Sequence, residues 1–469
     1  MNFLKKKSFE SVKEVSGRSD LPKTMTAFDL IMLGLGGIIG TGVFVLTGLV
    51  AAQHSGPAVM LSYAIAGVTC IFVALAYTEL ASMLPTSGSI YTYSYVAFGE
   101  VVAWLMGGVI ILEMGVASSA VATGWSGYIV NILDLGGLHI PTAYTSVPSH
   151  GGIVNIPAML IVAFVAFVLY LGTKDSKRLN AFLVFVKMAA IGAFIFLAVP
   201  HFEVTNWDNF MPFGFHDVLI GSSILFFAFT GFGTLAAAAE ECQNPKRDLT
   251  IGIIGSLLIA MTIYIIVGGL ATGIVPFTAL GNNQPLAEAL KLNGSHLGST
   301  IVSVGAVFGM TTVIMANIYG ISRIFYVMAR DGLLPPVLTR LHPKHGSPHL
   351  SIFIFSTAIA LLAGFCPLEI TGKMSSAGAL IDYTIIMVIV MVFRLQRPDT
   401  PRPFKCPALF VVAPIGFLAS IYLLSTQIIS KDGRLLEIGR YLIYWGAIIF
   451  ALYLIRGFYM GCRSNPQNK

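Results

Sequence analysis

Apolar residues gather into long runs along most of the chain, separated by short polar stretches. Twelve runs stand out, near 27–51, 57–83, 99–131, 153–172, 181–199, 218–240, 251–274, 298–328, 349–365, 374–393, 407–428 and 436–456. A bilayer core is crossed by about 20 mostly apolar residues in a helix. The pattern therefore predicts an all-α polytopic membrane protein with twelve transmembrane helices. Two runs are interrupted by glycine: GGIIGTG, Gly36 to Gly42, in the first, and FAFTGFGT, Phe227 to Thr234, in the sixth. In hydrocarbon every backbone N–H and C=O needs a partner, so a helix breaks only where its backbone lines a protein-enclosed cavity. Breaks in the first and sixth runs point to a midplane binding site between two halves of a secondary transporter.

The breaks divide the chain. Spans one to five, within 25–200, and spans six to ten, within 201–395, form two five-helix units. Five is odd, so the second unit enters the membrane in the opposite sense, which makes an inverted repeat. Residues 396–458 add two extra helices. Segments 1–24 and 459–469 are polar ends.

Only 11% of the residues are charged and mean hydropathy is +0.81, against roughly a quarter charged in a soluble domain. The basic stretch ahead of the first run (Lys5, Lys6, Lys7, Lys13, Arg18, Lys23) is too long for a cleavable signal, so the first run is expected to be retained. With the N-terminus inside, 22 of the 28 Lys and Arg fall in inside segments, and five, Lys291, Lys373, Lys431, Arg434 and Arg440, fall outside. This positive-inside bias sets both termini in the cytoplasm of a multi-pass protein of the cytoplasmic membrane. The net charge of +6 is thus topology, and no nucleic-acid partner is expected. The five cysteines are odd in number and lack metal-site spacing. No metal and no cofactor are expected, and no catalytic triad or phosphate loop suggests an enzyme.

Four glycines within seven residues free the first break to leave helical geometry. Exposed N–H groups at a half-helix start attract an anion such as a carboxylate; close helix packing through small residues is the alternative. The second break supplies Phe227, Thr230, Gly231 and Gly233, whose unwound carbonyls attract an ammonium. Together the breaks read both ends of an amino acid zwitterion, with Phe227 placed to cover it. Glu113 lies deep in span three, where a carboxylate is costly and functional by default; its partner is either a cationic substrate or a structural group. Lys187 is the one basic residue deep in a span. It is placed to load and release a proton, or to stand where a coupling cation would sit. Asp382 and Glu79 also lie within spans. Asp29 and Asp248 read as helix N-caps. EECQNPKRDL and YGISRIFYVMARDGLLP carry charges at helix ends and read as gate or topology elements.

These motifs, GGIIGTGVF, YTELASMLPTSGSIYTYSYVAFGE, LNAFLVFVK, NWDNFMPFG, FFAFTGFG…AAEECQNPKRDL and SRIFYVMARDGLLP, resemble the APC superfamily of amino acid transporters, and within it the bacterial relatives of the cationic amino acid transporters. The resemblance covers nearly all twelve spans. It implies the LeuT-like 5+5 inverted repeat and α-amino acid transport. It also implies that Gly40, Thr41 and Gly42 bind the substrate carboxylate, and that Ile38, Phe227 and Thr230 surround its amino group. Phe227 becomes the aromatic gate, Glu113 the carboxylate associated with cationic substrates, Asn317 a residue lining the side-chain pocket, and Lys187 the replacement of a sodium site that supports proton coupling. Where the family usually reads GFD, this chain reads GFG with Gly233; Gly108 and Met114 stand where aromatic residues are usual around the carboxylate.

The expected function is proton-coupled symport of amino acids, cationic or small neutral, by alternating access across the lipid bilayer. A proton-independent exchanger is the alternative within transport. An amino acid sensor without net transport is the alternative outside it.

Overall fold

A computed structural model describes residues 6–17, 21, 23–135, 137–282, 284–430 and 434–463. Lys5, Arg18, Lys431 and the tail from 464 on lie outside the described residues. The chain is helical, and the described residues form isolated β-bridges only. Nine helical stretches among them are long and apolar enough to cross a membrane, and two shorter apolar helices accompany them.

After α1 (Phe9–Gly17) comes α2 (Ala27–Ile38). Thr26, not Asp29, is the N-cap of α2. Asp29 is its capping-box partner, accepting from the Thr26 N–H at 3.0 Å while Thr26 Oγ1 accepts from the Asp29 N–H at 3.3 Å. The helix simply starts earlier than a single Asp suggests. Asp248 likewise sits inside its helix, accepting at 3.2 Å from the N–H of the cap residue Asn244.

The apolar stretch Ala27–Met83 is 57 residues long, about 85 Å if it were one straight helix. It doubles back at Gly56, where φ is 57°. The Tyr63 hydroxyl consequently donates to the Gly42 carbonyl at 3.0 Å. The return leg is α3 (Val59–Met83), followed by the short α4 (Ser89–Ala97). Next come α5 (Glu100–Ile110), a π-helical segment Ile111–Val116, and α6 (Ala117–Leu135). Then follow α7 (Ile156–Tyr170), α8 (Thr173–Ala198) and α9 (Phe215–Leu225). After a second interruption come α10 (Gly233–Ala237) and α11 (Pro245–Ile274). The chain continues through α12 (His296–Arg330), α13 (His349–Phe365), α14 (Leu368–Gln396), α15 (Leu409–Ile428) and α16 (Glu437–Arg463).

Nearly every residue of α12 from Val302 onward is buried, as expected of a helix apolar all round. It packs against α8, α6 and α2, while α11 packs on α2 and α3. The last two helices are more peripheral. α16 docks on α5 through Trp104 Nε1 to Ile449 O (2.9 Å) and Trp445 Nε1 to Gly108 O (3.0 Å). Gly108 thus faces α16: a Cβ there would lie 2.8 Å from Ile449.

One end of the bundle is tied by ion pairs. Glu241 holds Arg323 at 2.9 Å and Tyr319 at 2.8 Å, fully buried. Glu240 takes Arg330 Nη2 at 3.0 Å, together with the Ser87 N–H. Glu79 takes Arg394 and, at 3.0 Å, Arg402. Asp331 takes Lys7 at 2.5 Å. The two charged motifs singled out in the sequence therefore pair with each other. The segment before α2 also bridges the segment after α10: Met25 N–H donates to Glu241 O and Gln243 N–H to Met25 O, both at 2.9 Å.

Candidate functional site

α2 stops at Ile38. Ile39 is extended (ψ 104°), and the chain resumes as a π-helical segment, Gly42–Leu46. The second interruption follows a 3-10 turn, Phe226–Phe229. Thr230 is extended (ψ 154°) and Gly231 has φ +114°, which a side chain would resist.

The two breaks cross in van der Waals contact. A Cβ on Gly231 would lie 2.6 Å from Gly37 O, and one on Gly42 would lie 2.4 Å from the Ala228 Cβ. The Tyr264 hydroxyl of α11 reaches both, 2.8 Å from Ile38 O and 2.9 Å from Ala228 O. Thr230 Oγ1 donates to Phe227 O at 2.8 Å and Thr234 Oγ1 to Gly231 O at 2.5 Å. The structure so brings Ile38 and Gly42 to the second break beside Phe227, whereas Gly40 faces Val313 of α12 and Thr41 faces Gly124 of α6. Thr41 Oγ1 is buried there without a hydrogen bond.

Lys187 of α8 is fully buried. Its ammonium donates to Leu35 O (2.8 Å), Ile39 O (2.8 Å), Thr312 Oγ1 (2.9 Å) and, less closely, Gly36 O (3.2 Å). The carbonyls freed where α2 unwinds are thus satisfied by a side-chain cation. Thr312, which itself donates toward Gly36 O at 3.0 Å, was not foreseen. Nothing in GMTTVIMAN marks that hydroxyl apart from its neighbours.

Phe227 is buried and floors a cavity of about 180 Å³ leading away from the ion-paired end. Val45, Leu46, Leu49, Ile224 and Lys373 are among the residues lining it. Glu113 sits in the π-helical segment of span three, buried and without a basic partner among the described residues. Its Oε1 lies 3.5 Å from where a Gly233 Cβ would be, which puts it against the second break. Met114 also faces that break. Asn317 is buried on α12, next to Ala316, which faces Gly37. Among the described residues no His, Cys, Asp and Glu cluster is arranged to hold a metal ion.

Apolar membrane-length helices around two crossed, unwound segments define a multi-pass membrane protein with a candidate site inside its bundle. The chain belongs to the amino acid permease family, whose sequence profile matches residues 25–453. It is 40% identical to the branched-chain amino acid permease BcaP of Bacillus subtilis over 90% of this chain and 92% of that one. It is 38% identical to the methylthioribose transporter of the same organism, over 88% and 90%. It is 36% identical to the chloroplastic cationic amino acid transporter 9 of Arabidopsis thaliana, over 82% and 69%.

Proposed function

We propose that this permease is a proton-coupled amino acid symporter of the cytoplasmic membrane, working by alternating access and taking cationic or a broad range of amino acids. Counting Ala27–Met83 as two spans and including the two shorter apolar helices gives twelve, in a LeuT-like repeat with both termini inside. The observation that carries the reading is the Lys187 ammonium seated among the carbonyls of the first break. A cation is required there to hold the unwound backbone, and the lysine supplies it without sodium. Losing the proton frees those carbonyls and lets the first break move, which links protonation to the substrate site.

In this reading the substrate carboxylate meets backbone N–H groups at Gly40, Thr41 and Gly42. The ammonium meets carbonyls at Ile38, Phe227 and Thr230, of which that of Ile38 keeps a second lone pair beside the Tyr264 hydroxyl. Phe227 closes the site from the cavity side, and the ion-paired end is the cytoplasmic gate, shut in this structure. Uptake of radiolabelled amino acids into proteoliposomes with and without an inward proton gradient tests it. Accumulation should follow the gradient and ignore sodium.

The similarity to branched-chain amino acid permeases supports a second reading of the substrate, a neutral branched-chain amino acid, for which Val45, Leu46, Leu49 and Ile224 offer apolar contact in a cavity that polar residues also line. The same assay, run with leucine against ornithine, separates the two.

A further inference from the structure

Asp382 has no part in the site described so far, yet it lies beside Glu113. Ser375, Gly378 and Asp382 are spaced i, i+3 and i+7 on α14, one face of a helix. Ser375 Oγ donates to Glu113 O at 3.1 Å, and a Cβ on Gly378 would lie 3.0 Å from the Glu113 N. Asp382 is on that same face and interacts with the Glu113 carboxyl. The two acids are 2% and 1% exposed. The Asp382 carboxyl and the Tyr383 hydroxyl are the polar groups that face the Glu113 carboxyl, and among the described residues neither acid is paired with a lysine, arginine or histidine. Two hydroxyls lie in electrostatic range of Asp382, Tyr383 on α14 and Tyr93 on α4, and both are fully buried. Tyr77 of α3 borders the cluster with its hydroxyl committed to Ser89. On the remaining side Gly233 offers no side chain, so the cluster abuts the second break directly.

Two buried carboxyls with no cation beside them cannot both carry charge; the cost of isolated charge in such a place forces protons onto them. A basic side chain reaching down from the second break changes that balance. We propose that Glu113 and Asp382 form one composite proton-binding site, separate from Lys187, from which a cationic amino acid side chain displaces a single proton. Without the basic side chain the pair is neutral. With it, one proton leaves to solution, and the pair carries one negative charge against one positive charge. Neutral substrates leave the pair protonated. The inference rests on the proposed reading of Glu113 as facing the substrate, and adds Asp382 to the residues that set specificity.

Proton release tests it, read with an indicator dye in weakly buffered detergent solution of the full-length protein. Saturating ornithine is expected to release about one proton more per molecule bound than alanine does. Glu113→Gln and Asp382→Asn should each keep that difference, because either acid alone can give up a proton, and the double variant should lose it. Loss of the difference in either single variant overturns the composite site, as does its persistence in the double variant. If the double variant does not elute as a monodisperse species, the two single variants decide. Ornithine bound by the wild type with no extra proton released overturns this inference alone. No calorimetric binding of ornithine overturns the cationic-substrate reading and this inference with it.

Discussion

The ammonium of Lys187 lies 2.8 Å from the carbonyl oxygen of Ile39, the residue at which α2 gives way to extended backbone. A side chain from the fifth apolar run thus finishes the hydrogen bonding of a helix broken in the first. Removing it leaves buried carbonyls unpaired, at about 1–3 kcal/mol for each group left without a partner, and removes the titratable group from the break.

Lys187→Ala is therefore expected to abolish uptake driven by an inward proton gradient. Proteoliposome accumulation measured with and without the gradient checks it. Gradient-driven accumulation at the wild-type rate in the variant would remove Lys187 from the coupling mechanism.

Gly42 is the tightest point between the two breaks, with 2.4 Å separating its missing Cβ from that of Ala228. Over-packing of this kind costs about 1–3 kcal/mol, so Gly42→Ala should weaken substrate binding roughly ten- to a hundredfold if the strain falls on the bound state. Gly42→Val, with a branched side chain, should bind no substrate while eluting as a folded species. Unchanged affinity of Gly42→Val in a thermal-shift titration would show that the breaks do not form the substrate site.

Glu241 and Arg323 form a pair exposed by no more than 1%. Breaking a buried pair by neutralising one member costs about 3–5 kcal/mol, because the other is left charged in a dry place. Glu241→Gln should lower the Tm and make cysteines introduced near the second break more reactive from the ion-paired end. Replacing both partners, Glu241→Leu with Arg323→Met, should recover most of the Tm but not the closed gate. A Glu241→Gln variant as stable and as closed as wild type would assign the closure to the other ion pairs.

The breaks were legible in the sequence because glycine clusters inside apolar runs have few other uses. Lys187 was legible as a basic residue deep in a span. What it touches was not: its partners are three carbonyls about 150 positions away and the hydroxyl of Thr312, and carbonyls carry no sequence signal. The closeness of Glu113 and Asp382 was hidden for a related reason. It depends on the register of α14 against the π-helical segment, which apolar periodicity leaves open. Gly108 shows the converse. The family resemblance places it beside the span-three carboxylate, but its missing side chain makes room for Ile449 of α16.

Substrate choice should turn on Glu113, whose carboxyl is buried without a basic partner among the described residues and lies against the second break. A charge-assisted contact to a buried group is worth about 1.5–3 kcal/mol, roughly ten- to a hundredfold in affinity. Glu113→Gln should weaken lysine, arginine and ornithine by about that factor and affect alanine little. Asn317, being neutral, should alter the preferred length of the side chain rather than its charge, so Asn317→Leu should shift preference among neutral substrates. Competition binding with a panel of amino acids measures both. An equal loss for cationic and neutral substrates in Glu113→Gln would make Glu113 structural. The branched-chain reading would then be the stronger.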